Sequence, residues 1–196
     1  MSNANGGAPK RRVISAAYEG DNPPGVLSVG LVSLVELCQH AMPSPRRIRE
    51  KMAEANLERV DDANAERFGR ALFLENKVVA GGVRNLRHEL YGKERGGALV
   101  LLLVSEGDGP DGAMVFCSTL FTGATEADVV KAVAKVTERE PGVGNTVDGP
   151  HGVIRRVFWD IPGTSGVRFM LASGPGDMDA VDQLRAVTAF NKADAS

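Results

Sequence analysis

The run Gly96-Gly97-Ala98-Leu99-Val100-Leu101-Leu102-Leu103-Val104, followed by Glu106-Gly107-Asp108-Gly109-Pro110-Asp111-Gly112, decides the fold. The apolar stretch Ala98 to Val104 is too short for an amphipathic helix and shows no polar face. A glycine pair before it and a Gly/Asp/Pro loop after it punctuate a strand. A second apolar run, Ala113 to Phe121, follows the loop, so the two runs read as a β-hairpin. An apolar strand without polar alternation is covered on at least part of both faces, which makes it central in its sheet. The loop acids Glu106, Asp108 and Asp111 read as a hairpin tip in water. They lack the offsets and the closing glutamate of a calcium loop.

Helices are expected on both sides of this hairpin. Leu31, Val32, Leu34, Val35, Cys38, Ala41 and Met42 recur at helical spacing and predict a helix over Ser28 to Met42, capped by Ser28 and stopped by Pro43. Ser44-Pro45 opens a second helix with an apolar stripe of Ile48, Met52 and Ala55. Its Arg46, Arg47, Arg49 and Lys51 read as a solvated basic face or as a small anion or partner contact. Thr125-Glu126-Ala127-Asp128 opens a third helix, with Val129, Val130, Val133, Ala134 and Val136 inward and Pro141-Gly142 as its end.

Val153 to Ile161 and Val167 to Ser173, joined by a turn at Pro162 to Gly166, predict a second hairpin. Its first strand puts Ile154, Arg156, Phe158 and Asp160 on one face, and Val153, Arg155, Val157, Trp159 and Ile161 on the other. Ala71 to Leu74 and Val78 to Val83 read as short strands. Asp61 to Arg70 reads as loop or short helix, and charged Leu86 to Gly97 as loop. Asp177 to Phe190 is either a helix or a last strand, Leu184 to Phe190. Residues 1–25 read as a flexible tail and 26–192 as one domain. Helices segregated from antiparallel strands give an α+β class: a single domain with a mostly antiparallel sheet and helices packed on one face.

Composition narrows the function classes. In 196 residues, 43% are hydrophobic, which is enough for a core and argues against global disorder. A net charge of -2 argues against a nucleic-acid surface, and 5% aromatics argue against stacking platforms. No apolar run reaches the ~20 residues of a membrane-spanning helix. The Lys10-Arg11-Arg12 run is not followed by a segment long and apolar enough for a signal peptide. Ser2-Asn3-Ala4 looks like a remnant of recombinant expression, which leaves the native start open.

Motifs for catalysis are weak. Gly142-Val143-Gly144-Asn145-Thr146-Val147 has valine where a dinucleotide fingerprint has its third glycine, and it follows a helix. It reads as loop, as does Gly174-Pro175-Gly176. Gly163-Thr164-Ser165-Gly166 has the wrong spacing for a nucleophile elbow. Cys117 with His40, His88 or His151 would make a thiol–imidazole pair, but an apolar strand protects a thiol. The histidines have no metal spacing. No catalytic residue, metal or cofactor is expected. Arg155 and Arg168, with the single Trp159, form a candidate ligand site, because arginine beside an aromatic ring suits an anion. The competing reading is a core tryptophan with arginines reaching to water.

Cys38 and Cys117 are either two buried thiols or one disulfide closing a long loop. The helix Leu34-Val35-Glu36-Leu37-Cys38, the break at Pro43, the helix Ile48 to Leu57 and the strand Val115-Phe116-Cys117-Ser118 resemble a group of small exported proteobacterial proteins of unknown function. The resemblance implies that the helix and strand cysteines pair, and it brings no catalytic residues. The expected function is a non-enzymatic binding or interaction domain of the bacterial cell envelope. It would be periplasmic or secreted if the native start carries a signal peptide, and cytoplasmic otherwise. Its partner would be a protein or a small anionic ligand, with no nucleic acid and no membrane span. The alternative is a cytosolic enzyme or small-ligand protein with a site built from loops, Arg87 to Arg95 with Arg155 and Arg168.

Overall fold

The computed structural model describes residues 24–66, 69, 83–95, 98–121, 124–149, 151–161, 166–175 and 183–191. They form an α+β fold with one eight-stranded antiparallel sheet in the order β1-β2-β3-β4-β8-β7-β6-β5. The strands are β1 (Glu58–Arg59), β2 (Arg84–Arg95), β3 (Ala98–Gly109), β4 (Gly112–Leu120), β5 (Asn145–Gly149), β6 (Gly152–Asp160), β7 (Val167–Pro175) and β8 (Gln183–Asn191). Two meanders, β1 to β4 and β5 to β8, are joined along the β4–β8 seam, where Phe116 to Leu120 pair with Phe190 to Ala186. The helices are α1 (Pro24–Leu34), α2 (Pro45–Glu54) and α3 (Glu126–Thr137).

The deciding hairpin forms, but its turn is tighter than expected: β3 continues through Glu106 and Asp108 to Gly109, where the sequence predicts a loop. β3 and β4 meet at Gly109↔Gly112, and Gly112 holds a φ of 129°, open to glycine alone among common residues. Val100, Leu102 and Val104 face the helices, while Leu101, Leu103 and Ser105 face the opposite side; all are buried. Coverage of both faces is why this strand carries no polar alternation.

All three helices pack on one face. Leu27, Leu31, Leu34, Ile48, Met52, Val129 and Val133 share a core with Val104, Val115, Trp159, Phe169 and Val187. Each large aliphatic side chain buried there contributes about 1.5–3 kcal/mol. α1 approaches β4 closely: a Cβ on Gly30 would meet the Phe121 ring at 3.0 Å. The second face holds Leu90, Leu103, Phe116, Met170, Ala172 and Ala186, met by Val60 and Ala65 from 60–65, where 62–66 form a short helix.

Several boundaries differ from expectation. α1 begins at Pro24, not after Ser28, because proline fits the first turn of a helix, where no intrahelical N–H partner exists. Past Leu34 it widens into a π-helical turn, Val35–Gln39, which buries Leu37, Cys38 and Gln39 in succession. Charged Leu86 to Gly97 lies largely within strand β2, not a loop; Glu89 is met by Arg49 of α2 and Arg59 of β1, while Leu90 is buried on the other face. Asn145 to Gly149 is the edge strand β5. α3 ends at Glu138, in the left-handed region, before Pro141. Its start is as read: Thr125 and Asp128 form a reciprocal capping box. α2 also starts as read, with Ser44 Oγ accepting from the Arg47 N–H and Pro45 first in the helix. The ambiguous C-terminal stretch holds strand β8. The tail at 1–23, the strands read at 71–74 and 78–82, and the turn at 162–165 lie outside the described residues.

Candidate functional site

Cys38 and Cys117 form a disulfide across 79 positions, with Cα atoms 6.2 Å apart. The π-helical turn brings Cys38 over the sheet, and β4 presents Cys117 to the helix face. Both residues are fully buried. Cys117 is therefore no nucleophile, and the pairing implied by the resemblance is present.

A charged brace holds α2 to the β2–β3 margin. Arg49 Nε donates to Glu89 Oε2 at 2.8 Å, and Nη2 donates to Glu106 Oε1 at 2.9 Å. The Tyr91 hydroxyl donates to the same Glu89 oxygen at 2.9 Å. Burial pushes the Glu89 carboxyl up, but the bonds from Arg49 and Tyr91 and the nearby guanidinium charges outweigh it, leaving its pKa below the usual value. The hydrogen bond to Glu89 raises the pKa of Arg49, so that guanidinium stays charged. Burial first, and the Glu89 contact second, raise the Tyr91 phenol. Thus Glu106 is no hairpin-tip acid in water, and part of the basic face of α2 is turned inward. Arg46 remains outside, paired with Glu50 one turn on.

The expected ligand residues are split between faces. Arg155 is exposed on the helix side, and its Nε lies 3.1 Å from Glu126 Oε1 in the first turn of α3. Ser173, opposite Arg155, donates to the other Glu126 oxygen at 2.6 Å. Trp159 is 1% exposed, opposite Phe169 in the helix-side core, and its indole N–H has no acceptor among the described residues. Arg168 faces the other way, opposite Asp160, and its Nε donates to Asp160 Oδ1 at 2.6 Å. The loop site Arg87 to Arg95 with Arg155 and Arg168 is not assembled. β2 and β6 are separated by β3, β4, β8 and β7, about 24 Å at ~4.8 Å per strand.

Arg168 meets Arg156, a hairpin arginine not placed in the expected ligand site. Arg156, on the same face, is 5% exposed. Its guanidinium lies 5.4 Å from the Phe158 ring centroid, and that of Arg168 lies 5.3 Å from the same centroid. Arg156 Nε donates to Asn145 Oδ1 of β5 at 2.8 Å. No carboxylate pairs with Arg156 among the described residues, and burial lowers its pKa. The period-two pattern had placed Arg156 with Phe158 and Asp160. It gave no sign that β7 would bring Arg168 alongside.

On the first meander, His88 Nδ1 lies 2.8 Å from the fully buried Ser105 Oγ. Burial lowers the His88 pKa, against a smaller opposing effect from Glu66. Among the described residues no group of three or more His, Cys, Asp and Glu side chains is arranged to hold a metal ion. None of their helices is long and apolar enough to cross a membrane. Compared with known family models, curated proteins and solved structures, the chain matches none.

Proposed function

We propose that this chain is a non-enzymatic binding or interaction domain of an oxidising compartment, the bacterial cell envelope, and that it takes a protein or a small anionic ligand. The disulfide carries the reading. Structural disulfides persist in oxidising compartments and are rare where thiols are kept reduced. This one ties α1 to β4 beside the sheet's central seam. Arg155 and Arg168 lie on opposite faces, each beside a carboxylate, so they would contact separate anions and not share one, while Trp159 packs in the helix-side core.

The test is intact mass of protein purified without reductant, alkylated in denaturant before and after reduction. The expected result is no alkylation before reduction and two alkyl groups after it. Two reactive thiols in the unreduced sample would overturn the compartment assignment.

A further inference from the structure

On the sheet face opposite α1 to α3, β5, β6 and β7 assemble a cationic group in apolar surroundings. Arg156 projects from β6 between Asn145 on β5 and fully buried Ala172 on β7, its cross-strand neighbours. Phe158 follows two residues along, and Arg168 comes from β7 beside Asp160. Ile154 and Met170 complete the apolar setting.

Two properties of Arg156 stand out. It is more than nine-tenths buried, yet among the described residues it has one hydrogen bond, from Nε to Asn145. Its terminal amino groups, four N–H donors, have no acceptor among the described residues and are not among the fully buried unpaired atoms, so they stay open to solvent or to a ligand's oxygens. A guanidinium keeps its charge in proteins, so Arg156 is a largely buried side chain whose charged end has no carboxylate partner among the described residues. The Phe158 ring compensates only in part. Arg168 is already neutralised by Asp160, so the group as a whole carries one net positive charge.

We propose that Arg156, with Arg168 and Phe158, binds the carboxylate of a small organic monoacid. The terminal nitrogens of Arg156 suit the paired oxygens of a carboxylate. One net positive charge matches a monoanion, whereas a phosphate dianion would stand over-charged beside Asp160. An apolar tail on the acid would lie against Phe158. The site deepens the anionic-ligand part of the function proposed above and rests on that part. It lies next to, but is distinct from, the Arg155 surface on the helix side.

Isothermal titration of the full chain with octanoate, octanol and inorganic phosphate tests it. Saturable binding of octanoate, with octanol and phosphate at least about tenfold weaker, is expected. Arg156→Met should weaken octanoate by more than about tenfold, and Arg168→Gln by about tenfold. Arg156→Met should also melt within about 2 °C of the parent, because it keeps an apolar stem of similar length and removes a charge with no carboxylate partner among the described residues. Octanol or phosphate binding as tightly as octanoate overturns the proposal. So does a folded parent that binds no octanoate, or an Arg156→Met variant that melts several degrees lower or fails to fold, since each marks a structural arginine. The thiol measurement is independent of these outcomes. Free thiols with intact octanoate binding would remove the compartment and leave the site. An intact disulfide without binding would do the reverse.

Discussion

Reducing the Cys38–Cys117 bond should cost the protein a large share of its stability. The bond closes a loop of 79 positions. In the chain-entropy treatment a loop of that length restrains the unfolded chain by about 4.5 kcal/mol. For a chain of this size, each kcal/mol moves the melting point by about 2–4 °C, so the oxidised protein should melt roughly 9–18 °C above the reduced one. Both cysteines are fully buried, so reductant added to folded protein should act slowly, through opening of the α1–β4 contact. The comparison should therefore use protein reduced in denaturant and refolded with reductant, beside an untreated sample, both followed by far-ultraviolet circular dichroism. Melts that agree within about 2 °C would refute the reasoning and show that the unfolded chain gains little freedom when the bond is cut.

Other expectations concern the charges and the single tryptophan. Arg49→Met should destabilise by about 1–2 kcal/mol in urea unfolding, the full value of a charge-assisted bond being discounted because Arg49 is 38% exposed; an unchanged midpoint would mean the brace is ornamental. Stability should fall with acid in two stages. The folded His88 pKa is lowered, so below about 6.5 the unfolded chain takes the proton first and stability declines. Glu89 is depressed, so its contribution is complete above about 4.3, the unfolded value, and is lost as pH falls through its folded pKa. His88→Gln should flatten the first stage alone, and equal slopes for parent and variant between pH 7 and 5 would contradict this. Trp159→Phe should cost less than about 2 kcal/mol, because it leaves a smaller cavity than truncation and removes an indole N–H with no acceptor among the described residues; a larger loss by chemical denaturation would argue for an acceptor.

Legibility in the sequence followed the strength of local signals. The Ala98 to Val104 run, the Thr125 capping box and the Ser44-Pro45 start are each set by neighbours in the chain, and each was readable. Strand β2 was not. Arg87, Glu89, Lys93 and Glu94 look like a loop until Arg49 and Arg59 arrive from elsewhere to pair with Glu89. The candidate site was half readable for the same reason. Alternation along β6 put Arg156 beside Phe158 correctly. Only the Arg168↔Asp160 register, which depends on a turn and a second strand, brought the other guanidinium to that ring. Nor could alternation tell that the Trp159 side would be the one roofed by helices.

The β4–β8 seam bears on how the molecule is made. A ribosome delivers β8 last of the eight strands, yet β8 sits in the middle of the sheet. During synthesis the first meander therefore stands with the outer edge of β4 unpaired, its inner edge held by β3, until residues 183–191 emerge. Both cysteines belong to this first half. Where the surroundings oxidise thiols, the Cys38–Cys117 bond can close while β8 is still absent, and it then ties the helix side to β4 before its final partner arrives. An unpaired, apolar strand margin of this kind is where a chain is prone to associate with another copy of itself. Removing residues 183–191 would then open the sheet at its centre, leaving two separate four- and three-stranded pieces.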